Sequence, residues 1–238
     1  MTRRRSGVQI PYGPRSTPGP VSPAGAPGSR PGIEGTDQRP VTRQQAPPRR
    51  PAPPWLTEPL RRLETDARLD PLADRLSVVA GAVVDSPGRS DALRGAWFGH
   101  ALHPMLTDFP LGSWMSASLL DLVGGHSARP ASRRLIGFGL LAAVPTVAAG
   151  LAEWQATFGA ARRVGVVHAG VNATATTLYA SSWLARRRGR HATGVVLGVA
   201  GGVVATLGGY LGGHLSLVRK VGTADPTLGD GLRPTAVG

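Results

Sequence analysis

Residues 99–125, which read GHALHPMLTDFPLGSWMSASLLDLVGG, separate two unlike parts of this chain of 238 residues. Before Pro104 the chain is polar and rich in proline, and after it come four long apolar segments. The mean hydropathy of -0.05 hides this contrast because it averages the two parts. Since about 20 predominantly apolar residues cross a bilayer, the sequence predicts a small integral membrane protein.

The four apolar segments predict an all-α fold, a four-helix transmembrane bundle within a membrane domain of residues 96–222. Pro104 suits the first turn of the first helix, where its missing N–H costs nothing. Pro110 leaves the carbonyl of Leu106 without its helical partner, which predicts a kink beside Asp108. The predicted spans are residues 102–123, 135–153, 164–185 and 193–218.

The segments that flank this domain have a different composition. Residues 1–54 are rich in Pro, Gly and Arg and lack hydrophobic periodicity, so they are predicted to be a disordered tail. Residues 55–95 carry leucines at roughly helical spacing, which predicts an amphipathic helical linker. This linker fits a helix on the membrane surface and a helix docked on the bundle almost equally well. Residues 223–238 are predicted to be a flexible C-terminal tail.

The formal net charge of +13 comes almost wholly from arginine. The arginines after residue 94 lie in short clusters between apolar segments, as membrane loops carry them, so nucleic-acid binding is not predicted. Similar numbers of basic residues fall on the two sides of the membrane, so the positive-inside rule does not orient the chain. The absence of cysteine excludes disulfides and thiolate metal sites.

Polar residues converge on one membrane face. Four spans place both termini and the connection after the second span on one side, called side A here. Ionisable groups inside spans are costly and usually face a partner, a cavity or a ligand. The cofactor-binding candidates are His100, His103, His168 and His214, with His103, His168 and His214 as metal ligands and Asp108, Glu153 and Asn172 as a polar network.

Imidazole and carboxylate suit a transition metal or haem iron. A structural network in which these groups satisfy one another is an equally open interpretation. A pathway for ions, protons or quinones is a third. Asp121 ends the first span on the opposite side and is interpreted as an interface residue.

The last span carries small residues every four positions, which let a neighbouring helix approach closely. Both packing within the chain and homodimerisation fit this pattern. No G-x-S-x-G, P-loop or H-E-x-x-H motif occurs, so no catalytic residue is predicted and an enzyme acting on its own is not expected. The predicted packing positions are Gly198, Gly202, Gly209 and Gly213.

Four motifs together resemble a bacterial family of predicted membrane proteins, domain of unknown function 2231. The likeness covers residues 97–222. The motifs, in chain order, are WFGHALHPMLTDFPLGSWMSASLLDL, GLAEW, RRVGVVHAGVNATATTLYASSWLARR and GGYLGGHL. The resemblance implies four membrane helices without an established activity, and some longer members carry a Rieske iron–sulfur domain.

These observations favour a multi-pass protein of the bacterial cytoplasmic membrane. The first hypothesis is a redox-associated subunit that binds haem b or a transition metal. The alternative is a non-catalytic scaffold or anchor. The lipid bilayer is the expected partner, the resemblance implies a separate Rieske-type or other redox protein, and the oligomeric state is left open.

Overall fold

The computed structural model describes residues 52–222, which contain helices and turns and no strand. The all-α prediction is therefore confirmed for this part of the chain. The tails predicted for residues 1–54 and 223–238 lie outside the described residues, apart from residues 52–54.

Three short helices precede four long ones in the described chain. The short helices are α1 (Pro54–Thr65), α2 (Asp70–Val83) and α3 (Pro87–Arg94). The long helices are α4 (Leu102–Val123), α5 (Arg129–Gln155), α6 (Gly159–Arg187) and α7 (His191–Gly213). A π-helical segment, His214–Val218, continues α7.

Local sequence signals account for the short helices. Each begins with a proline in its first turn, where the imino nitrogen is tolerated. The hydroxyl of Ser86 accepts a hydrogen bond from the amide of Arg89 and caps α3. Gly95 ends α3 at a φ of 83°, and a Cβ there would collide with the carbonyl oxygen of His100. A glycine is thus required where the chain turns into α4.

The long helices form two antiparallel hairpins, α4–α5 and α6–α7, within which packing is closest. Helices α5 and α6 are also neighbours, as are α4 and α7, so α4 and α6 lie diagonally opposite each other. Short connections reverse the chain between successive long helices. Side A is therefore the end where α4 and α6 begin, and side B is the end where they finish.

The outer surface of α5 and α7 is apolar. Two described segments are long and apolar enough to cross a membrane: His126–Gln155, which includes α5, and His191–Val218, which includes α7. Helices α4 and α6 are not among these segments, because polar side chains interrupt both of them, on the axis and, at Asp108 and Thr174, on exposed faces. The large exposed side chains include Phe138, Leu141, Val144 and Val147 on α5 and Val196, Val199, Val203 and Leu207 on α7.

Helices α1 and α2 dock on side A of the long helices and are called the N-terminal cap. Ala73 and Ala80 of α2 are buried against Trp154 and Val166. The guanidinium group of Arg163 donates two hydrogen bonds to the carboxylate of Asp70, at 2.7 and 2.8 Å. Of the two arrangements that the amphipathic pattern allowed for this region, the structure has the docked one.

Candidate functional site

Side chains of α4 and α6 meet at three levels along the bundle axis. Near side A the rings of His103 and His168 have centroids 6.3 Å apart and an interplanar angle of 85°. At mid-height the rings of Trp114 and Tyr179 stack with centroids 4.1 Å apart. Near side B Asp121 and Arg186 form an ion pair. The diagonal helices therefore carry the side chains that fill the axis.

The two histidines at the first level are anchored in the same way. Nδ1 of His103 lies 2.8 Å from the carbonyl oxygen of Thr146, and Nδ1 of His168 lies 3.0 Å from that of Gly208. A carbonyl oxygen only accepts, so Nδ1 carries the proton in both rings. In this tautomer Nε2 holds the lone pair, which is the arrangement found in metal-binding histidines.

Thr146 and Asn172 complete the surroundings of the histidine pair. The hydroxyl of Thr146 lies 3.1 Å from the carbonyl oxygen of Leu106, the group that Pro110 deprives of its helical partner. The side-chain amide of Asn172 donates to the carbonyl oxygen of His168 at 2.9 Å and lies 3.2 Å from both ring nitrogens. Asn172 is thus next to the histidine pair, as expected.

The other predicted site residues lie elsewhere. Nε2 of His214 lies 2.7 Å from a carboxylate oxygen of Glu64 in the N-terminal cap. The carboxylate of Glu153 is largely buried, 3.8 Å from Nε of Arg94. His100 is exposed and packs against Phe98. Asp108 is exposed on the outer face of α4. Of the four histidines, only His103 and His168 come together.

A buried ion pair on side B was missed by sequence reasoning. The side chains of Arg186 and Asp121 are 2% and 8% exposed and join through Nη1–Oδ1 and Nη2–Oδ2 contacts of 2.8 and 2.6 Å. Ser132 donates to the same carboxylate at 2.7 Å, and Nε of Arg186 donates to Ser182 at 3.2 Å. Asp121 is thus a core residue rather than the interface residue that its position suggested.

Glycines of α5 and α7 make room for the axial side chains. A Cβ at Gly139 would collide with the indole of Trp114, and one at Gly194 with the side chain of Arg186. Of the predicted packing positions, Gly198 and Gly202 face α6, whereas a Cβ at Gly209 or Gly213 would meet nothing within 4 Å. Four further glycines of α5 and α7 face axial side chains: Gly150 (His103), Gly201 (Tyr179), Gly208 (Asn172) and Gly212 (His168).

The two hairpins repeat one another. His168, Tyr179 and Arg186 each follow their α4 partners His103, Trp114 and Asp121 by the same 65 positions. The buried positions of α5 recur on α7 at another constant interval, pairing Ser132 with Gly194, Ile136 with Gly198, Gly139 with Gly201, Ala143 with Ala205, Thr146 with Gly208 and Ala149 with Leu211. Equivalent residues that face each other at three levels imply an approximate two-fold axis along the bundle.

This repeat is the signal that sequence reasoning overlooked. Leu102-His103 and Val167-His168 align, and with them Trp114 with Tyr179 and Leu119 with Leu184. The alignment places Asp121 opposite Arg186, two groups of opposite charge at one height. Read in this way, the sequence distinguishes the paired histidines from His100 and His214, which have no counterparts.

The histidine pair supplies two nitrogen ligands at most. Within residues 52–222 no group of three or more His, Cys, Asp or Glu side chains is placed to hold a metal ion. A tetrahedral zinc site needs four ligands. Haem iron takes only axial ligands from the protein, and two histidines meet that number.

The comparisons with known proteins agree with the resemblance seen in the motifs. The model of the family described as "Predicted membrane protein (DUF2231)" matches residues 99–225, more than half of the chain. No curated protein and no solved structure matches the chain.

Proposed function

Because the chain belongs to this family of predicted membrane proteins, we propose that it is a four-span protein of the bacterial cytoplasmic membrane whose His103–His168 pair is the functional site. In this proposal α4 and α6 cross the bilayer with α5 and α7. Their ionisable side chains on the axis face one another, His103 with His168 and Asp121 with Arg186, and so avoid the cost of contact with lipid.

The pair is proposed to hold haem iron, or to supply two ligands to a transition-metal ion, in a redox-associated role. The observation that carries this proposal is the shared anchoring of both Nδ1 atoms by backbone carbonyls. This anchoring leaves the lone pair of each ring on Nε2, the nitrogen that would bind a metal. Within the described residues no hydrogen bond occupies Nε2 of His103, whereas Asn172 lies beside that of His168.

The second candidate is a membrane scaffold in which the same residues are structural. It is favoured by a different observation: among the described residues, every fully buried side-chain nitrogen or oxygen atom has a hydrogen-bond partner. A polar core that is already satisfied stabilises one packing arrangement without a ligand. A separate redox protein remains a proposal that belongs to the first candidate only, and an oligomer remains a proposal that neither candidate requires.

Absorbance spectra and elemental analysis of detergent-purified protein separate the two candidates. Protein expressed with haem and metal supplements is compared with the variants H103A and H168A. H214A and H100A are matched controls, because these histidines lie outside the pair. Stoichiometric haem or metal that is lost only in H103A and H168A supports the redox role. Wild-type protein without haem or metal rejects it in favour of the scaffold.

A further inference from the structure

A groove on side B lies between the beginning of α5 and the end of α6. It has a volume of about 510 Å³, within the range of small-molecule pockets. Its walls are apolar apart from one guanidinium group. The lining residues are Arg134, Gly137, Phe138, Leu140, Leu141 and Trp183.

Gly137 and Trp183 shape this groove. The indole of Trp183 passes directly over Gly137, where a Cβ would lie 2.8 Å from the indole nitrogen. Within the described residues the indole N–H of Trp183 has no hydrogen-bond acceptor. On the opposite side of the bundle the repeat places Ser118 and Val199 at these two positions. The interface between α4 and α7 therefore has neither an indole like that of Trp183 nor a glycine like Gly137 that would make room for one.

The end of the groove nearest side B is positively charged. Arg134 lines it, and the guanidinium carbon of Arg187 lies 4.8 Å from the centre of the Trp183 ring. Neither arginine has an ion-pair partner in the part of the chain that the structure describes, and no carboxylate lines the groove. The other end of the groove, formed by Leu140 and Leu141, continues toward the middle of α5.

This distribution of charge and apolar surface matches an anionic phospholipid. Arginine binds phosphate through paired donors, and tryptophan favours the level of the lipid headgroups. Basic pockets between membrane helices bind anionic lipid headgroups. We infer that this groove binds one anionic phospholipid of the bilayer, with its phosphate on Arg134 and Arg187 and an acyl chain along Phe138 and Leu141.

The inference rests on the proposed crossing of the membrane by α5 and α6, but not on haem or metal at the histidine pair. Native mass spectrometry of detergent-purified protein tests it. The probes are phosphatidylglycerol and phosphatidylcholine with identical acyl chains. The variant R134Q removes the lining charge. R188Q is the matched control, because Arg188 is exposed on the same side and does not line the groove.

We expect wild-type protein and R188Q to retain phosphatidylglycerol in preference to phosphatidylcholine. R134Q should bind phosphatidylglycerol about fivefold more weakly, as one basic residue near an anionic headgroup contributes about that factor. W183F, which keeps an aromatic ring but removes the indole N–H donor, should also bind it more weakly. Near-ultraviolet circular dichroism verifies that each variant is folded.

Equal retention of the two lipids by wild-type protein overturns the inference. So does an equal loss of phosphatidylglycerol in R134Q and R188Q, which would indicate a diffuse charge effect. Complete displacement of phosphatidylglycerol by millimolar inorganic phosphate identifies a free-anion site instead of a lipid site. Failure of the haem proposal appears separately, in the absorbance spectrum of the same preparation.

Discussion

Asp121 and Arg186 are joined by two parallel contacts, Nη1–Oδ1 at 2.8 Å and Nη2–Oδ2 at 2.6 Å, and their side chains are 8% and 2% exposed. The pair links the end of α4 to the end of α6, and therefore one hairpin to the other. Ser132 and Ser182 complete the hydrogen bonding of both groups.

Removal of either charge should strongly destabilise the bundle. D121N leaves the guanidinium group of Arg186 buried without a counter-charge, and breaking such a pair costs about 3–5 kcal/mol. Thermal unfolding in detergent measures the loss. The control is D85N, whose exposed pair with Arg89 contributes about 0–1 kcal/mol. Equal melting temperatures for D121N and D85N would contradict the buried pair.

The glycines that face the axis should not tolerate even a methyl group. G139A places a carbon against the indole of Trp114, so we expect a loss of about 1–3 kcal/mol. G112A is the matched control, because a Cβ at this exposed helical glycine meets nothing within 4 Å. Alanine is the better helix former, so G112A should be neutral or slightly stabilising. The order of the two melting temperatures tests the prediction.

The N-terminal cap should be released by acid. A hydrogen bond from Arg219 holds the pKa of Glu64 below its ordinary value, and one from Arg163 does the same for the pKa of Asp70. A carboxylate whose pKa is lower in the docked state stabilises docking above its ordinary pKa, near 4. That contribution is lost as pH falls through the lowered pKa.

Hydrogen exchange or limited proteolysis of residues 54–83, followed from pH 7 to pH 3, measures this release. The double variant E64Q/D70N should expose the cap at neutral pH. E58Q removes a carboxylate whose ion-pair partners, within the described residues, are exposed arginines of α1, and it should leave the cap docked. A cap that is equally protected at pH 7 and pH 3 is the outcome against this prediction.

If the chain has four membrane spans, the connections between the long helices must lie on alternate sides of the membrane. The chain has no cysteine, so each single-cysteine variant reports one position. S127C and R188C should react alike with an impermeant maleimide in intact cells, and A156C should react oppositely. If only α5 and α7 crossed the membrane, residues 127 and 188 would lie on opposite sides and react differently.

The length of the apolar segments and the positions of the prolines made the all-α class predictable, because both features act within a single helix. Pro104 lies in the first turn of α4, and the carbonyl that Pro110 frees finds a partner in Thr146. The contact of His214 with Glu64 was not predictable in this way, since 150 positions separate the two residues and the contact depends on how the cap docks.

Helix rotation explains the other differences between expectation and structure. Gly209 and Gly213 follow a four-residue spacing, but an α-helix has 3.6 residues per turn. A four-residue row therefore drifts off the buried face. The buried positions of α7 are instead separated by steps of three or four residues: Gly194, Gly198, Gly201, Ala205, Gly208 and Leu211. Asp108 was assigned to the polar network by its depth in the span, and depth does not specify the face of α4 on which a residue lies.

The repeat bears on how the two hairpins recognise each other. A histidine opposite a histidine, or an aromatic ring opposite another, is compatible with two identical halves. An aspartate opposite an arginine is not compatible with two identical halves. Two copies of either hairpin would bring two like charges together at a buried position. The difference between Asp121 and Arg186 therefore disfavours the pairing of a hairpin with its own copy and favours the pairing of the two different hairpins. The covalent link between them guarantees that both halves are produced in equal number.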